Sequence, residues 1–280
     1  MARLTGAEMR RVSPRKGHTA KDTWNPNGRL LGMVKSNGIW VALVVTGIKK
    51  NGNDKIQRKD RKGAKSTRQI WSVPANVHPG EYRGSKDLSR QAVRISAAVC
   101  FDCPQQHVLG GGCYVRNDPI ASIWKCLQRG GYKPATAADY PGIFGGAPVR
   151  FGAFGEVVGL LPLDNARQIA ALATVRTGYT HRWKDPRLQG WRDLVMASVE
   201  GSAAAEAADA LGWRYFRVRA PGSAPAAGEV NCPTERVGCD DCGLCKGKPK
   251  DRGPKNVSIP AHGTWSAAAL VTIGEDRRAA

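Results

Sequence analysis

The feature that most constrains the fold is a regular alternation of short apolar runs and amphipathic runs across residues 147–220. APVRFGAFGEV, TGYTHRW, DLVMASVEG and WRYFRVRAP are typical of short strands. DNARQIAALATVR and GSAAAEAADALG are typical of helices, with Asp164 and Ser202 as the expected N-caps. This alternation predicts βαβ units and a parallel sheet. Too few units are visible for a complete eight-fold barrel, so we expect an α/β fold built on a partial or degenerate (β/α) barrel.

The N-terminal third has a different character. Ser36-Asn37-Gly38 separates two apolar runs and predicts a β-hairpin, and a further short strand is expected at Ile70–Val73. The run between these strands, residues 49–69, has few large apolar side chains and predicts a basic loop. We therefore expect four parts: a basic extended arm (1–28), a basic β-rich segment with a flexible loop (29–94), an α/β barrel-like domain with the cysteines (95–270), and a tail (271–280).

Charge is concentrated in that N-terminal third. The chain carries a formal net charge of +20, and residues 1–94 hold 21 Lys and Arg against 6 Asp and Glu. An excess of this size favours a polyanionic partner, most commonly nucleic acid, because cationic side chains neutralise phosphates and release counterions. The predicted contacts are Arg10, Arg11, Arg15 and Lys16 in the arm, and Lys49, Lys50, Lys55, Arg58, Lys59, Arg61, Lys62, Lys65 and Arg68 in the loop.

Membrane and secretory signals are missing from the sequence pattern. No run of about 18 apolar residues occurs, as a membrane-spanning helix would need, and the first residues have no apolar signal core. Cysteines without such a signal indicate a reducing compartment, where thiols bind metals more often than they form disulfides. We expect a location in the cytoplasm of a bacterial host.

The eight cysteines form two groups of four, each containing a C-x2-C pair that lets two sulfurs converge on one ion. His107 lies within the first group and could replace one of its thiolates. Both structural Zn²⁺ and a [4Fe–4S] cluster remain open, since C-x2-C-x2-C resembles a cluster loop but its usual ending is absent. We favour closed sites that staple loops together. The predicted ligands are Cys100, Cys103, Cys113 and Cys126 in the first group, and Cys232, Cys239, Cys242 and Cys245 in the second.

A candidate pocket is predicted from polar residues at the ends of the expected strands. Sites in α/β folds lie at the carboxyl ends of strands, and Glu156, His181 and His262 occupy such positions. No nucleophile elbow, P-loop or H-E-x-x-H motif is present, so we assign no catalytic residue.

Several blocks recur together in one known group. CFDCPQQHVLGGGCYV, VRFGAFGEV, TGYTHRW, MASVEG, VNCPTERVGCDDCGLC and SIPAHG occur in this order between about residues 95 and 265. The set resembles a group of cysteine-rich phage and prophage proteins. The resemblance implies a phage or actinobacterial origin and a degenerate, radical-SAM-like barrel with metal-binding cysteines.

Two functions from different classes follow. The first is a phage-type accessory or regulatory protein that binds DNA or a DNA-bound protein, for example a recombination directionality factor working with an integrase. The alternative is a [4Fe–4S] radical-SAM-like enzyme that modifies nucleic acid. A pure protein-interaction module, whose charge steers it to an acidic partner, is a third possibility.

Overall fold

The computed structural model describes residues 24–49, 64–83, 89–247 and 256–261, and these residues build one mixed α/β unit around a ten-stranded sheet. The prediction of an α/β fold is confirmed. The strands, in chain order, are β1 (Gly28–Ser36), β2 (Ile39–Thr46), β3 (Arg68–Pro74), β4 (Lys133–Pro134), β5 (Val149–Phe154), β6 (Arg176–Thr180), β7 (Met196–Val199), β8 (Tyr215–Arg219), β9 (Glu229–Asn231) and β10 (Asn256–Pro260).

The α-helices are short and fall mainly between the strands. They are α1 (Gly80–Arg83), α2 (Arg90–Cys100), α3 (Asn117–Gln128), α4 (Tyr140–Phe144), α5 (Leu163–Leu172), α6 (Ser202–Ala210) and α7 (Cys239–Cys242). Helix α5 begins after Pro162 and α6 after Gly201. Asp164 and Ser202 therefore lie inside the first turn rather than at the N-cap, where they were expected.

The predicted hairpin is present. β1 and β2 pair antiparallel, with Ser36 opposite Ile39, and Asn37 and Gly38 have φ angles of 46° and 77°. Positive φ at both central residues is the geometry of a tight hairpin turn, which Asn-Gly adopts at low cost. β3 then pairs antiparallel with β2, so the hairpin continues into the main sheet.

From β3 onward the neighbouring strands are parallel and follow chain order as β3-β5-β6-β7-β8-β10, with β9 beyond β10 and β4 beyond β1. Among the described residues this sheet stays open, because β4 and β9 are its two edges and do not pair with each other. The sheet is continuous across residue 95, since β3 pairs with β5.

The two faces of the sheet are covered differently. Helices α2, α5 and α6 contribute to one large apolar core with Ala197 of β7, whereas the adjacent Met196 packs with Cys245 and Val257 in a second, smaller cluster. Successive side chains of a strand point to opposite faces, so at β7 the two clusters lie on opposite sides of the sheet. The segment that carries the second cysteine group thus covers the face opposite those helices.

The described helices include none that is long and apolar enough to cross a lipid bilayer.

Candidate functional site

Three acid–base side chains meet where neighbouring parallel strands end. Glu156 follows β5, His181 follows β6 and Glu200 follows β7. The ring atom His181 Nε2 lies 2.7 Å from Glu200 Oε1, and the backbone N–H of His181 donates to Glu156 Oε1 at 2.8 Å. The structure thus brings Glu156 and His181 into contact, and the pocket predicted around them stays a prediction. His262 lies outside the described residues.

Glu156 is the most enclosed member, with 6% of its surface exposed. Its second oxygen accepts a hydrogen bond from Thr180 Oγ1 at 2.8 Å, and its backbone carbonyl accepts one from Ser72 Oγ at 2.6 Å. Burial raises the pKa of Glu156 above the ordinary carboxyl value, while the contacts with His181 and Thr180 act in the opposite direction. Glu156 therefore joins β5 to β3 through its backbone carbonyl and to β6 through its carboxyl group, which also fixes the backbone at His181.

The first cysteine group approaches the same site. Cys103 Sγ lies 4.0 Å from His181 Nε2, and Gln105 Nε2 donates to Glu200 Oε1 at 3.4 Å. Burial lowers the pKa of His181, but Cys103 and Glu200 outweigh it and hold that pKa well above the ordinary histidine value. The site at the carboxyl end of the sheet therefore contains sulfur, nitrogen and oxygen donors.

Two further cysteines of this group lie nearby. Burial raises the pKa of Cys100 well above the ordinary thiol value, and Cys103 and Cys113 raise it further. Arg83 Nη1 donates to Cys113 Sγ at 3.7 Å, and Arg83 Nη2 lies 3.1 Å from His107 Nε2. Arg83 is a functional candidate that the sequence analysis missed, because nothing in the run HPGEYR distinguishes it from other basic residues.

Cys126 has different surroundings. It is buried on α3, and its sulfur accepts a hydrogen bond from Asn25 Nδ2 at 3.7 Å. Tyr132 also contacts this thiol. Its role as the fourth ligand of the first group stays a prediction, while its contacts are those of a packed core thiol.

The second cysteine group surrounds one cavity. Cys232, Cys239, Cys242 and Cys245 all line it, together with apolar residues of the same loop and of β10, and the space between its walls is about 330 Å³. Much of that space is open to solvent, and the part that can hold a water-sized sphere is about 20 Å³, which suits an ion or a single water molecule. Burial raises the pKa of Cys245 to about 12, with Tyr179 acting against it and the other three thiols adding to it. Neutral, buried thiols of this kind are poor nucleophiles.

Backbone and arginine contacts anchor the loop that carries this group. Arg214 Nη1 donates to the carbonyls of Leu244 and Gly247, at 2.9 and 2.8 Å. Gly243 ends α7 with φ 59°, the left-handed geometry that glycine adopts without strain. The loop is therefore tied to the start of β8 by the arginine that precedes this strand.

The two cysteine groups are linked through Arg150 on β5. Arg150 Nη2 donates to the hydroxyl of Tyr114, the residue after Cys113, at 2.8 Å. On the other side, burial raises the pKa of Cys239 and the positive charge of Arg150 opposes that rise. One guanidinium thus lies between the two groups.

The predicted nucleic-acid contacts divide into three sets. For Arg68 the prediction of a nucleic-acid contact is wrong. Arg68 is only 4% exposed, and its guanidinium donates to the carbonyls of Ile143, Gly47 and Ser66 at 2.6–2.7 Å. The first residue of β3 is turned inward to satisfy these carbonyls and cannot reach a phosphate. Lys49 and Lys65 are exposed. The remaining ten, namely Arg10, Arg11, Arg15, Lys16, Lys50, Lys55, Arg58, Lys59, Arg61 and Lys62, lie outside the described residues.

Across the described ranges, no group of three or more His, Cys, Asp or Glu side chains stands in a geometry that could hold a metal ion as it is. Comparison of the chain with protein-family models, with curated proteins and with solved structures finds no match.

Proposed function

We propose that the chain is a metal-binding accessory protein of DNA transactions, of phage type, that binds DNA or a DNA-bound protein such as an integrase. Its basic segments would contact the polyanion, and its cysteines would hold structural metal. A cytoplasmic location in a bacterial host accompanies this proposal.

The observation that carries it is the position at which the basic segments join the fold. The β1–β2–β3 register places the start of β1, the end of β2 and the start of β3 at one end of the sheet, with Gly28 opposite Thr46 and Thr46 opposite Gln69. Residues 1–23 and 50–63 are attached there, and each holds six Lys or Arg against two Asp or Glu. The backbone N–H of Lys49 donates to Asn27 Oδ1 at 2.8 Å, so the two attachment points touch.

Exposed cations of the described fold lie at the same end. Lys49, Lys65 and Lys133 are exposed. Lys65 Nζ donates to the carbonyl of Gly145, shortly before β5 begins, and Lys133 Nζ lies 5.4 Å from the centre of the Trp24 ring. Trp24 is itself 37% exposed, which leaves an aromatic face beside the cations for stacking on a base. We call this set, with the two attached segments, the basic end.

The second cysteine group fits structural zinc. Four thiols line one small cavity, and each of the other three acts on the pKa of Cys245. Tetrathiolate zinc sites are closed in this way and stabilise loops without taking part in chemistry. A bound ion would draw the sulfurs together and fasten residues 232–245 to the face of the sheet, as the expected metal-stapled loops require.

We also propose that the sheet corresponds to a partial barrel. From β3 to β8 its neighbouring strands follow chain order as β3-β5-β6-β7-β8, and the order reverses at β9, which lies beyond β10. Right-handed crossovers in a single direction place the connecting helices on one face, as in barrels, whereas doubly wound sheets reverse direction.

The test is a binding titration with matched charge variants. The triple variant K59Q/R61Q/K62Q removes three cations from the basic end, and R116Q/K184Q/R187Q removes three exposed cations elsewhere, so both proteins have the same net charge. Fluorescence anisotropy on a labelled DNA duplex is measured at several salt concentrations. Each phosphate contact contributes about −0.9 to the slope of log K against log salt, so the first variant loses up to about 2.7 from that slope. Equal slopes in both variants would contradict the proposal.

The second candidate function is an enzyme acting at the carboxyl end of the sheet. The observation that favours it is the convergence of Glu156, His181 and Glu200 beside the first cysteine group. A [4Fe–4S] form of this enzyme would use the thiols of Cys100, Cys103 and Cys113. Anoxically purified protein would then be brown, with broad absorption near ~400 nm, because iron–sulfur clusters are coloured and zinc is not.

A further inference from the structure

Two potential metal ligands lie close to His181 Nε2. Glu200 Oε1 lies 2.7 Å from this nitrogen and Cys103 Sγ lies 4.0 Å from it. The ring nitrogen carries at most one proton, which the short contact with Glu200 uses, so the sulfur is left without a share of it. Carboxylate, imidazole and thiolate are all donors that zinc-class ions accept.

We propose that Cys103, His181 and Glu200 bind a divalent transition-metal ion of the zinc class at the carboxyl end of the sheet. This site is separate from the second cysteine group, and it does not depend on the nucleic-acid proposal. The proposal also assigns Cys103 to a metal site with sulfur, nitrogen and oxygen ligands rather than to a site with four thiolates.

The observed separations are close to those of a coordination shell without being one. Around a tetrahedral zinc ion with Zn–N and Zn–O of about 2.0–2.1 Å and Zn–S of about 2.3 Å, neighbouring N and O ligands are about 3.3 Å apart and neighbouring N and S ligands about 3.6 Å apart. Against 2.7 and 4.0 Å here, each pair needs to move by roughly half an ångström. Side-chain rotation supplies a change of that size without rebuilding the backbone.

A carboxylate lies behind the histidine ring, beyond hydrogen-bond distance of Nδ1 but within reach of a small side-chain rotation. Glu156 Oε1 lies 3.9 Å from His181 Nδ1 and accepts the His181 backbone N–H at 2.8 Å. A carboxylate behind the non-ligating nitrogen orients the ring and raises its basicity toward the metal. Glu156 is therefore a positioning residue in this proposal.

The site is built on regular elements and is open to solvent. His181 and Glu200 follow strands β6 and β7, and Cys103 follows helix α2. The side chains of His181 and Glu200 are 15% and 21% exposed, which gives an ion a path of entry. Three protein ligands of mixed type leave a fourth position of a tetrahedral ion open, which is typical of catalytic rather than structural zinc.

Metal loading of the full chain with Zn²⁺ alone tests the proposal. After chelation and desalting, zinc uptake is measured by elemental analysis for wild type, H181N and E200Q, with E206Q as the matched exposed Glu control. We expect E206Q to bind as much zinc as wild type, and H181N and E200Q to bind one equivalent fewer; wild type binds two equivalents in all if the second cysteine group also holds zinc. The positioning variant E156Q should keep the zinc content of wild type and weaken the affinity for one ion by about 10–100-fold.

Substitution with Co²⁺ gives a second readout that a purely structural role would not change. Wild type should show the visible bands of a tetrahedral ion with mixed donors, and one component should disappear in H181N. Full zinc uptake by both H181N and E200Q would overturn the proposal, as would loss of an ion in H107Q but not in H181N. Brown protein with iron and sulfide that depend on Cys103 would also overturn it. Far-UV circular dichroism identifies a variant that fails to fold, and duplex binding by H181N, expected to equal that of wild type, separates this result from the nucleic-acid proposal.

Discussion

Arg68 is the residue at which a structural role and a nucleic-acid-binding role lead to the most different experimental results. The substitution Arg68→Met keeps an unbranched stem and removes the donors to the carbonyls of Gly47, Ser66 and Ile143. Each buried carbonyl left without a donor costs about 1–3 kcal/mol. Burial also lowers the pKa of the Arg68 guanidinium, which shows that its charge is desolvated at a cost that methionine does not incur. The balance is a loss of about 3–5 kcal/mol in the free energy of unfolding.

Urea unfolding of the full chain measures this loss from the midpoint and the slope m. The control is Lys65→Met, an exposed neighbour with a single hydrogen bond to the carbonyl of Gly145, for which we expect a change within about 1 kcal/mol. Duplex affinity of folded R68M should keep the wild-type salt slope. An R68M protein as stable as wild type, with a salt slope smaller by about one, would show that Arg68 contacts phosphate and would refute the reasoning.

Three further predictions concern stability. Gly155→Ala should destabilise the fold and displace Glu156, because Gly155 has φ 68° and a Cβ there would lie 2.4 Å from Val99 Cγ1 and 2.8 Å from the carbonyl of Ser72. The control is Gly142→Ala, where a Cβ meets no neighbour within 4 Å. Equal thermal midpoints for the two variants would contradict the prediction. Arg214→Met should loosen the second cysteine loop, and limited proteolysis should cleave between residues 232 and 247 faster than in wild type; an unchanged cleavage rate would show that the loop is held by other contacts. The side chain and the backbone N–H of Arg187 lower the pKa of Asp185 to about 2. Because the unfolded carboxyl has the higher pKa, the contribution of Asp185 to the free energy of unfolding is present above about pH 4 and is lost as the pH falls toward 2. The urea midpoint of D185N should therefore fall less over this range than that of wild type.

Much of the fold could be predicted because it follows from local periodicity. The apolar runs at residues 149–154 and 215–219 are strands β5 and β8, and Asn37-Gly38 forms the expected turn. Strand β10 ends at Pro260, two residues before His262, the residue expected at a strand end. Helix starts were predicted less well, because Pro162 and Gly201 begin α5 and α6 without a side-chain cap.

The candidate site could be predicted only in part. That Glu156 and His181 lie at strand ends follows from the order of the elements. The approach of Cys103 and Glu200 to one ring nitrogen does not, because it depends on the path of three separate loops. Arg68 could not be recognised either, since a cation at the end of a basic run has the same local sequence whether it faces solvent or buried carbonyls. The spacing of the cysteines suggests that Cys126 is a ligand. Its neighbours in the fold, however, are Asn25, which is distant in sequence, and Tyr132, which lies beyond the end of α3.

The most direct test of the central claim is the affinity of the full chain for a DNA duplex as a function of salt. Residues 1–23 and 50–63 together hold twelve Lys and Arg. If about half of them neutralise phosphates, the slope of log K against log salt is about −5. The account predicts a linear plot with a slope of that order. Absence of binding at about 50 mM salt, where contacts to phosphates are strong, or a slope near zero would contradict it.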